Sequence, residues 1–192
     1  MKEVYIVSIA RTPIGSFNGA LSSLTALDLG KVAIQKAMER AGINGDQVDE
    51  VIMGNVLSAN LGQAPARQVS ILAGIQNSAR ATTINKVCAS GLKSISLAAQ
   101  SIMLGDSDIV VAGGMESMSN APFYLPSGRS GIRYGNGEII DAIVKDGLQD
   151  PYNKNMMGNT AELCASTYKF TREQQDAYSV ESYKRAADAY TN

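Results

Sequence analysis

The sequence has no histidine, no tryptophan, two cysteines and three phenylalanines in 192 residues. Without histidine, neither a Ser-His-Asp nor a Cys-His pair can be completed within the chain, and no His-ligated metal site can be built. The two cysteines, Cys88 and Cys164, are too few for a disulfide framework or a Cys-rich zinc site. They suit a reducing, cytoplasmic setting in which a thiol stays a thiol. Charge of one sign is also lacking: 17 Lys plus Arg balance 18 Asp plus Glu, a net charge of −1. Nothing electrostatic therefore points to nucleic acid or an anionic membrane as partner. The longest apolar runs, such as residues 108–114, fall short of the roughly 20 residues of a membrane span. The opening Met1-Lys2-Glu3-Val4-Tyr5-Ile6-Val7 lacks the long apolar stretch and cleavage site of a signal peptide. Gly113-Gly114 is no dinucleotide fingerprint, because no G-x-G-x-x-G follows any strand-like run.

What is present alternates between strand and helix signals. The length suits one domain, or one domain plus part of a second. Val4–Ile9 is a β-branched run closed by Arg11-Thr12-Pro13-Ile14-Gly15, and predicts a first strand. Thr25-Ala26-Leu27-Asp28 is a capping box that opens a helix to Ala41, stopped by Gly42. Glu50–Met53 predicts a strand, Pro65 starts a helix to Ala73, and Thr82–Lys86 predicts a strand leading to Cys88. Residues 90–103 are apolar around most of the helical girth, which predicts a buried helix. Ile109–Ala112 is an apolar strand. The alternation argues for an α/β layered fold with a mostly parallel central sheet. Residues 119–137 hold two prolines and four glycines and predict a loop or interaction arm. Helical pattern returns over 141–147, 158–169 and 171–190, the last with the capping box Thr171-Arg172-Glu173-Gln174. The stop at Asn192, with no closing strand, reads as part of a longer polypeptide.

Cys88 stands where a predicted strand hands over to a predicted helix. A side chain there meets unpaired N–H groups and the positive end of the helix dipole. Both favour the thiolate, which is the nucleophile. The small residues Ala89-Ser90-Gly91 admit a carbonyl close to the backbone, where the Cys88 N–H can donate to an oxyanion. A packed structural cysteine is an equally good account of a lone Cys in this place. Cys164, mid-helix among Ala161, Leu163, Ala165 and Tyr168, reads as packing. Gly113-Gly114-Met115-Glu116 reads as a tight turn or as a neighbour of the thiol. Met156-Met157-Gly158 reads as core filler or as the wall of an apolar acyl pocket. Glu116 and Glu162 have no evident partner that would make either a general acid.

Five ordered blocks together resemble the thiolase family. They are Arg11–Gly15; Gly54-Asn55-Val56 with Gly62–Gln68; Ile84-Asn85-Lys86-Val87-Cys88-Ala89-Ser90-Gly91-Leu92-Lys93-Ser94; Ala112–Ser119; and Met157–Glu162. The subfamily most resembled makes or cleaves acetoacetyl-CoA. The resemblance implies a thiolase-like layered fold, αβαβα when complete. Residues 1–118 would form an incomplete N-terminal α/β domain. Residues 119–192 would begin an inserted loop domain, with a tetramerisation arm at 119–137. It implies that Cys88 carries an acetyl group as a thioester, which a second acetyl-CoA attacks in a Claisen condensation, with thiolysis as the reverse. It implies that Leu148, Met156 and Met157 contact substrate: Leu148 near the pantetheine, Met157 narrowing the acyl pocket for short chains. Met156 departs from the family, which often has histidine there.

The resemblance further implies coenzyme A as substrate and product, no cofactor and no metal, and a homo-oligomer built as a dimer of dimers. The histidine and second cysteine of the family mechanism belong to the other half, so the 192 residues alone are expected to be inactive. Two alternatives remain at this level. One is a degradative 3-ketoacyl-CoA thiolase, and the other is a non-catalytic scaffold on the same fold.

Overall fold

A computed structural model describes residues 2–191. The chain divides into two compact units, Met1–Gly147 and Leu148–Asn192. In the first unit the elements run α1 (Ala26–Ala41), β1 (Glu50–Gly54), α2 (Pro65–Leu72), β2 (Arg80–Ile84), α3 (Ser90–Leu104) and β3 (Val110–Gly114), then the short strands β4 (Phe123–Tyr124) and β5 (Ile140–Asp141). The Thr25 box caps α1 as expected: Asp28 N–H donates to Thr25 Oγ1, and Thr25 N–H donates to the Asp28 carboxylate. Gly42 ends the helix at φ 68°, where a Cβ would be strained.

The three main strands form one parallel sheet in the order β2-β1-β3. Glu50 lies beside both Arg80 and Val110, and Gly54 beside both Ile84 and Gly114. The order reverses direction after β2, so right-handed crossovers place α2 and α3 on opposite faces. The core lies on the α1–α2 side, where Val51 and Met53 pack with Ile34, Met38, Ala66 and Val69. Burial of these side chains is what makes the central strand an unbroken apolar run.

Val4–Ile9, expected as a strand, is not one: residues 2–15 carry no ladder. Arg40 holds Ile9 by donating to its carbonyl, and Lys2 pairs with Asp108, but Tyr5, Ile6, Val7 and Ile9 stay 72–75% exposed. An apolar groove of about 600 Å³ separates the segment from the outer edge of β3. A strand needs a backbone partner within about 5 Å, and across this groove there is none.

The second correction concerns α3. By length and hydropathy alone, Val87–Leu104 is apolar enough to cross a membrane. Its Ser90, Ser94 and Ala98 face is buried against β1 and β3, but Leu92 and Leu104 are 70% and 75% exposed. The helix is therefore buried on one side only, because nothing among the described residues of the first unit covers the other.

The 119–137 segment is mostly loop, as expected, but β4 within it pairs antiparallel with β5. The helix expected at 141–147 is present in π form, Ile143–Leu148, directly after β5. In the second unit α4 (Met157–Tyr168) and α5 (Arg172–Thr191) match expectation. The Thr171 capping box is present, with reciprocal bonds to Gln174.

Candidate active site

All three parallel strands deliver their carboxyl ends to one rim, the usual place for a site in an open α/β sheet. From β2 the chain enters α3 through Asn85–Ala89. This turn is tightly constructed. Val87 N–H donates to Asn85 Oδ1 (2.9 Å), Lys86 N–H donates to Ser90 Oγ (2.8 Å), and Ser90 Oγ–H donates to the Val87 carbonyl (2.6 Å). Ala89 N–H and Ser90 N–H close back onto the carbonyls of Lys86 and Val87. Val87 itself has φ 48°, a left-handed conformation that is a genuine outlier for a β-branched residue.

Cys88 follows it, exposed, two residues before the first turn of α3. The cap position, Ala89, offers no side-chain hydrogen bond to the helix N–H groups. The amino end of α3 is thus left open toward whatever occupies the rim. The strand–Cys–helix arrangement expected from sequence is present, and burial as a packing cysteine is not. Cys164 is the reverse case. It was expected in packing, but it is exposed on α4, because α4 has no buried face among its residues.

The end of β1 lies directly against the amino end of α3. A Cβ on Gly54 would come within 2.7 Å of the Ser90 carbonyl carbon and 2.8 Å of the Gly91 nitrogen. Only glycine permits that approach. Beyond Gly54, Asn55 is buried at 2% exposure. Its side-chain amide donates to the Met115 carbonyl (3.1 Å) and to Glu116 Oε1 (2.8 Å), and its N–H donates to the Ile84 carbonyl (3.0 Å). The Glu116 carboxylate also accepts from Val56 N–H (2.9 Å) and Leu57 N–H (3.1 Å). Burial pushes the Glu116 pKa above the usual carboxylate range, against the opposing pull of those two N–H groups. Sequence reasoning saw Glu116 without a partner. Its partners, the Asn55 side-chain amide and the Val56 and Leu57 N–H groups, lie about 60 residues away, a pairing with no local signal. Asn55 immediately after a buried strand was the one available hint.

In the second unit, an antiparallel bridge between Gln149 and Met156 brings Leu148, Met156 and Met157 together. Leu148 and Met157 are 39% and 40% exposed, and Met156 is half-buried. Met156 N–H donates to Asn159 Oδ1 at the start of α4.

Comparison with known proteins places this geometry. The family model described as "Thiolase, N-terminal domain" matches residues 4–192. The cytosolic acetyl-CoA acetyltransferase ERG10 of Gibberella zeae is 60% identical over 189 residues, covering 98% of this chain and 48% of that protein. An acetyl-CoA acetyltransferase of Schizosaccharomyces pombe is 57% identical over 187 residues, 97% of this chain and 47% of that one. A crystal structure of Acat5 thiolase from Ascaris suum in complex with coenzyme A superposes with a TM-score of 0.94 at 49% identity. It covers 99% of this chain and 49% of that one. The chain therefore spans about half the length of the relatives it matches.

Proposed function

Because the chain belongs to the thiolase family, we propose that it is the nucleophile-bearing half of an acetyl-CoA C-acetyltransferase. The observation that carries this reading is Cys88, exposed at the carboxyl rim of a parallel sheet two residues before the uncapped amino end of α3. The Cys88 thiolate attacks the thioester carbonyl of one acetyl-CoA. The oxyanion is held by the Cys88 N–H, and coenzyme A leaves as the thiol after taking up a proton. A second acetyl-CoA, deprotonated at its methyl carbon, attacks the S-acetyl-cysteine. Acetoacetyl-CoA departs and the Cys88 thiolate returns. Thiolysis runs the same steps backwards.

Leu148, Met156 and Met157 line the part of the site that takes the pantetheine and acyl group, and Met157 limits the acyl chain to short lengths. Coenzyme A is substrate and product here, with no separate cofactor. In this reading residues 1–118 are the first α/β domain, and residues 119–192 begin the loop domain. The 119–137 arm pairs dimers into a homotetramer in the cytoplasm. A relative named as cytosolic supports that location.

In this reading the bases for both proton transfers are not in these 192 residues, which contain no histidine and, besides Cys88, only Cys164 on α4. Positioned acid–base groups contribute about 10²–10⁴-fold each, so the chain alone forms the reactive thiol without condensing acetyl-CoA. Competitive labelling with iodoacetamide at neutral pH, read by peptide mass, tests this. Both thiols are exposed, so accessibility does not bias the result. Cys88 is expected to alkylate faster than Cys164, with no acetoacetyl-CoA formed from acetyl-CoA. Equal, slow labelling of the two thiols would return the scaffold reading, and steady acetoacetyl-CoA synthesis would overturn the division of labour between halves.

A further inference from the structure

We propose that Asn55 and Glu116 are the positioning pair of the nucleophile turn: they lock the carboxyl ends of the three strands into one block against which the Cys88 turn is set. The proposal rests on the role given to Cys88 above.

The block is built in successive contacts. Gly54 is wedged against Ser90 and Gly91, the first residues of α3, with no room for a side chain between them. The next residue, Asn55, ties its N–H to the Ile84 carbonyl at the end of β2, four residues before Cys88. Its side-chain amide ties β1 to Met115 and Glu116 at the end of β3. Met115 N–H donates in turn to the Gly54 carbonyl (3.0 Å). Glu116 then gathers Val56 and Leu57, so the chain leaving β1 cannot lift away from the rim. On the other side Ser94 Oγ–H donates to the Gly113 carbonyl (2.7 Å), holding α3 to β3. Three strand ends and one helix start meet here: the Asn55 and Glu116 side chains join β1 to β3, the Asn55 backbone N–H joins β1 to β2, and Gly54 abuts the start of α3.

Two details fit positioning better than local stapling. A carboxylate has two oxygens to spread over three donors arriving from different directions, and charge-assisted bonds are the stronger kind. A neutral amide there would turn its NH₂ toward backbone N–H groups. Asn55 Oδ1, meanwhile, is buried with no hydrogen-bond partner among the described residues. Such orphaned acceptors are rare and costly. Here the cost is tolerated because the amide is held for its two donations.

The test uses the 192-residue chain and its variants Asn55→Ala, Glu116→Gln and the double substitution. Two quantities are read on each: the Cys88-to-Cys164 iodoacetamide rate ratio, and amide hydrogen exchange at Val56, Leu57, Ala89 and Ser90. Cys164 serves as the internal reference. Each single variant is expected to lower the ratio by about two- to fivefold, the factor that a displaced helix terminus represents. Each is also expected to speed exchange at Ala89 and Ser90, and the double variant should be no worse than the more damaging single one. Should Asn55→Ala fail to fold, Asn55→Ser, which retains a donor, takes its place. Faster exchange confined to Val56 and Leu57 with an unchanged ratio would reduce the pair to a local clip and overturn the proposal. Uniformly faster exchange throughout the sheet would do the same. If wild-type Cys88 is no faster than Cys164, the nucleophile reading fails instead, and exchange at Ala89 and Ser90 still decides the positioning.

Discussion

Val87, immediately before Cys88, has φ 48° and is the only β-branched residue in the left-handed region among the described residues. The left-handed region costs an L-residue roughly 1–2 kcal/mol. The bonds around Val87 meet that cost: its N–H to Asn85 Oδ1, and its carbonyl accepting from Ser90 Oγ, which also accepts from Lys86 N–H. Removing the hydroxyl strands the Lys86 N–H and leaves the Val87 carbonyl with the Ser90 N–H alone. Ser90→Ala is expected to lower stability by about 1–3 kcal/mol in urea unfolding. Val87→Gly should stay within about 1 kcal/mol of wild type, relief of strain offsetting the freedom gained by the unfolded chain. The Val87 side chain is half exposed, so little packing is lost. A larger drop on Val87→Gly would mean that the isopropyl group, not the bond pattern, holds the turn.

At the scale of elements, close approach decides more than propensity. Gly54→Ala places a methyl group 2.7 Å from the Ser90 carbonyl carbon, which neither the strand nor the helix can yield to without moving the Cys88 turn. Overpacking of this kind costs about 1–3 kcal/mol or more. The expected outcome is a matching fall in urea midpoint, and Gly91, which also abuts Gly114, moves with it. The same interplay explains what was legible beforehand. The capping boxes at Thr25 and Thr171 and the stop at Gly42 are local chemistry, and all three sit where expected. β1 and the Cys88 handover follow from apolar runs a few residues long. Val4–Ile9 has the same kind of run without becoming a strand, because a ladder depends on a neighbouring backbone, and composition does not reveal the 600 Å³ groove beside it. The expected burial of α3 failed similarly: periodicity tells which faces are apolar, not which are covered. The Glu116 cluster was illegible because its donors come from another strand end, and Cys164 was misjudged because α4 packs no buried face.

For the molecule as a whole, two carboxylates pull stability in opposite directions with pH. Backbone N–H donors from Ile109 and Asp108 hold Asp49 below the usual carboxylate range, helped by Arg80 and Lys2. Its folded pKa is depressed, so its contribution is present above the unfolded value and lost as pH falls through the folded one. Glu116 is raised by burial, so its contribution is present below the unfolded value and lost as pH climbs through the folded one. Thermal melts from pH 2 to pH 7 are therefore expected to show Asp49→Asn flattening the acid limb below about pH 4, near the unfolded carboxylate value. An unaltered acid slope in that variant would show that the Asp49 bonds carry no net stability.

Asp49 stands immediately before β1, holding the Asp108 and Ile109 N–H groups, while Arg80, Ser101 and Ser107 gather around the carboxylate of its neighbour Glu50. Five strand residues, about 17 Å of rise, separate that anchoring end from the thiol end. Substitutions so far apart, with no shared partners, combine independently. Parallel strands thus divide the sheet into a bearing end and an end that carries Cys88, so heat resistance can be engineered at the first without disturbing the second.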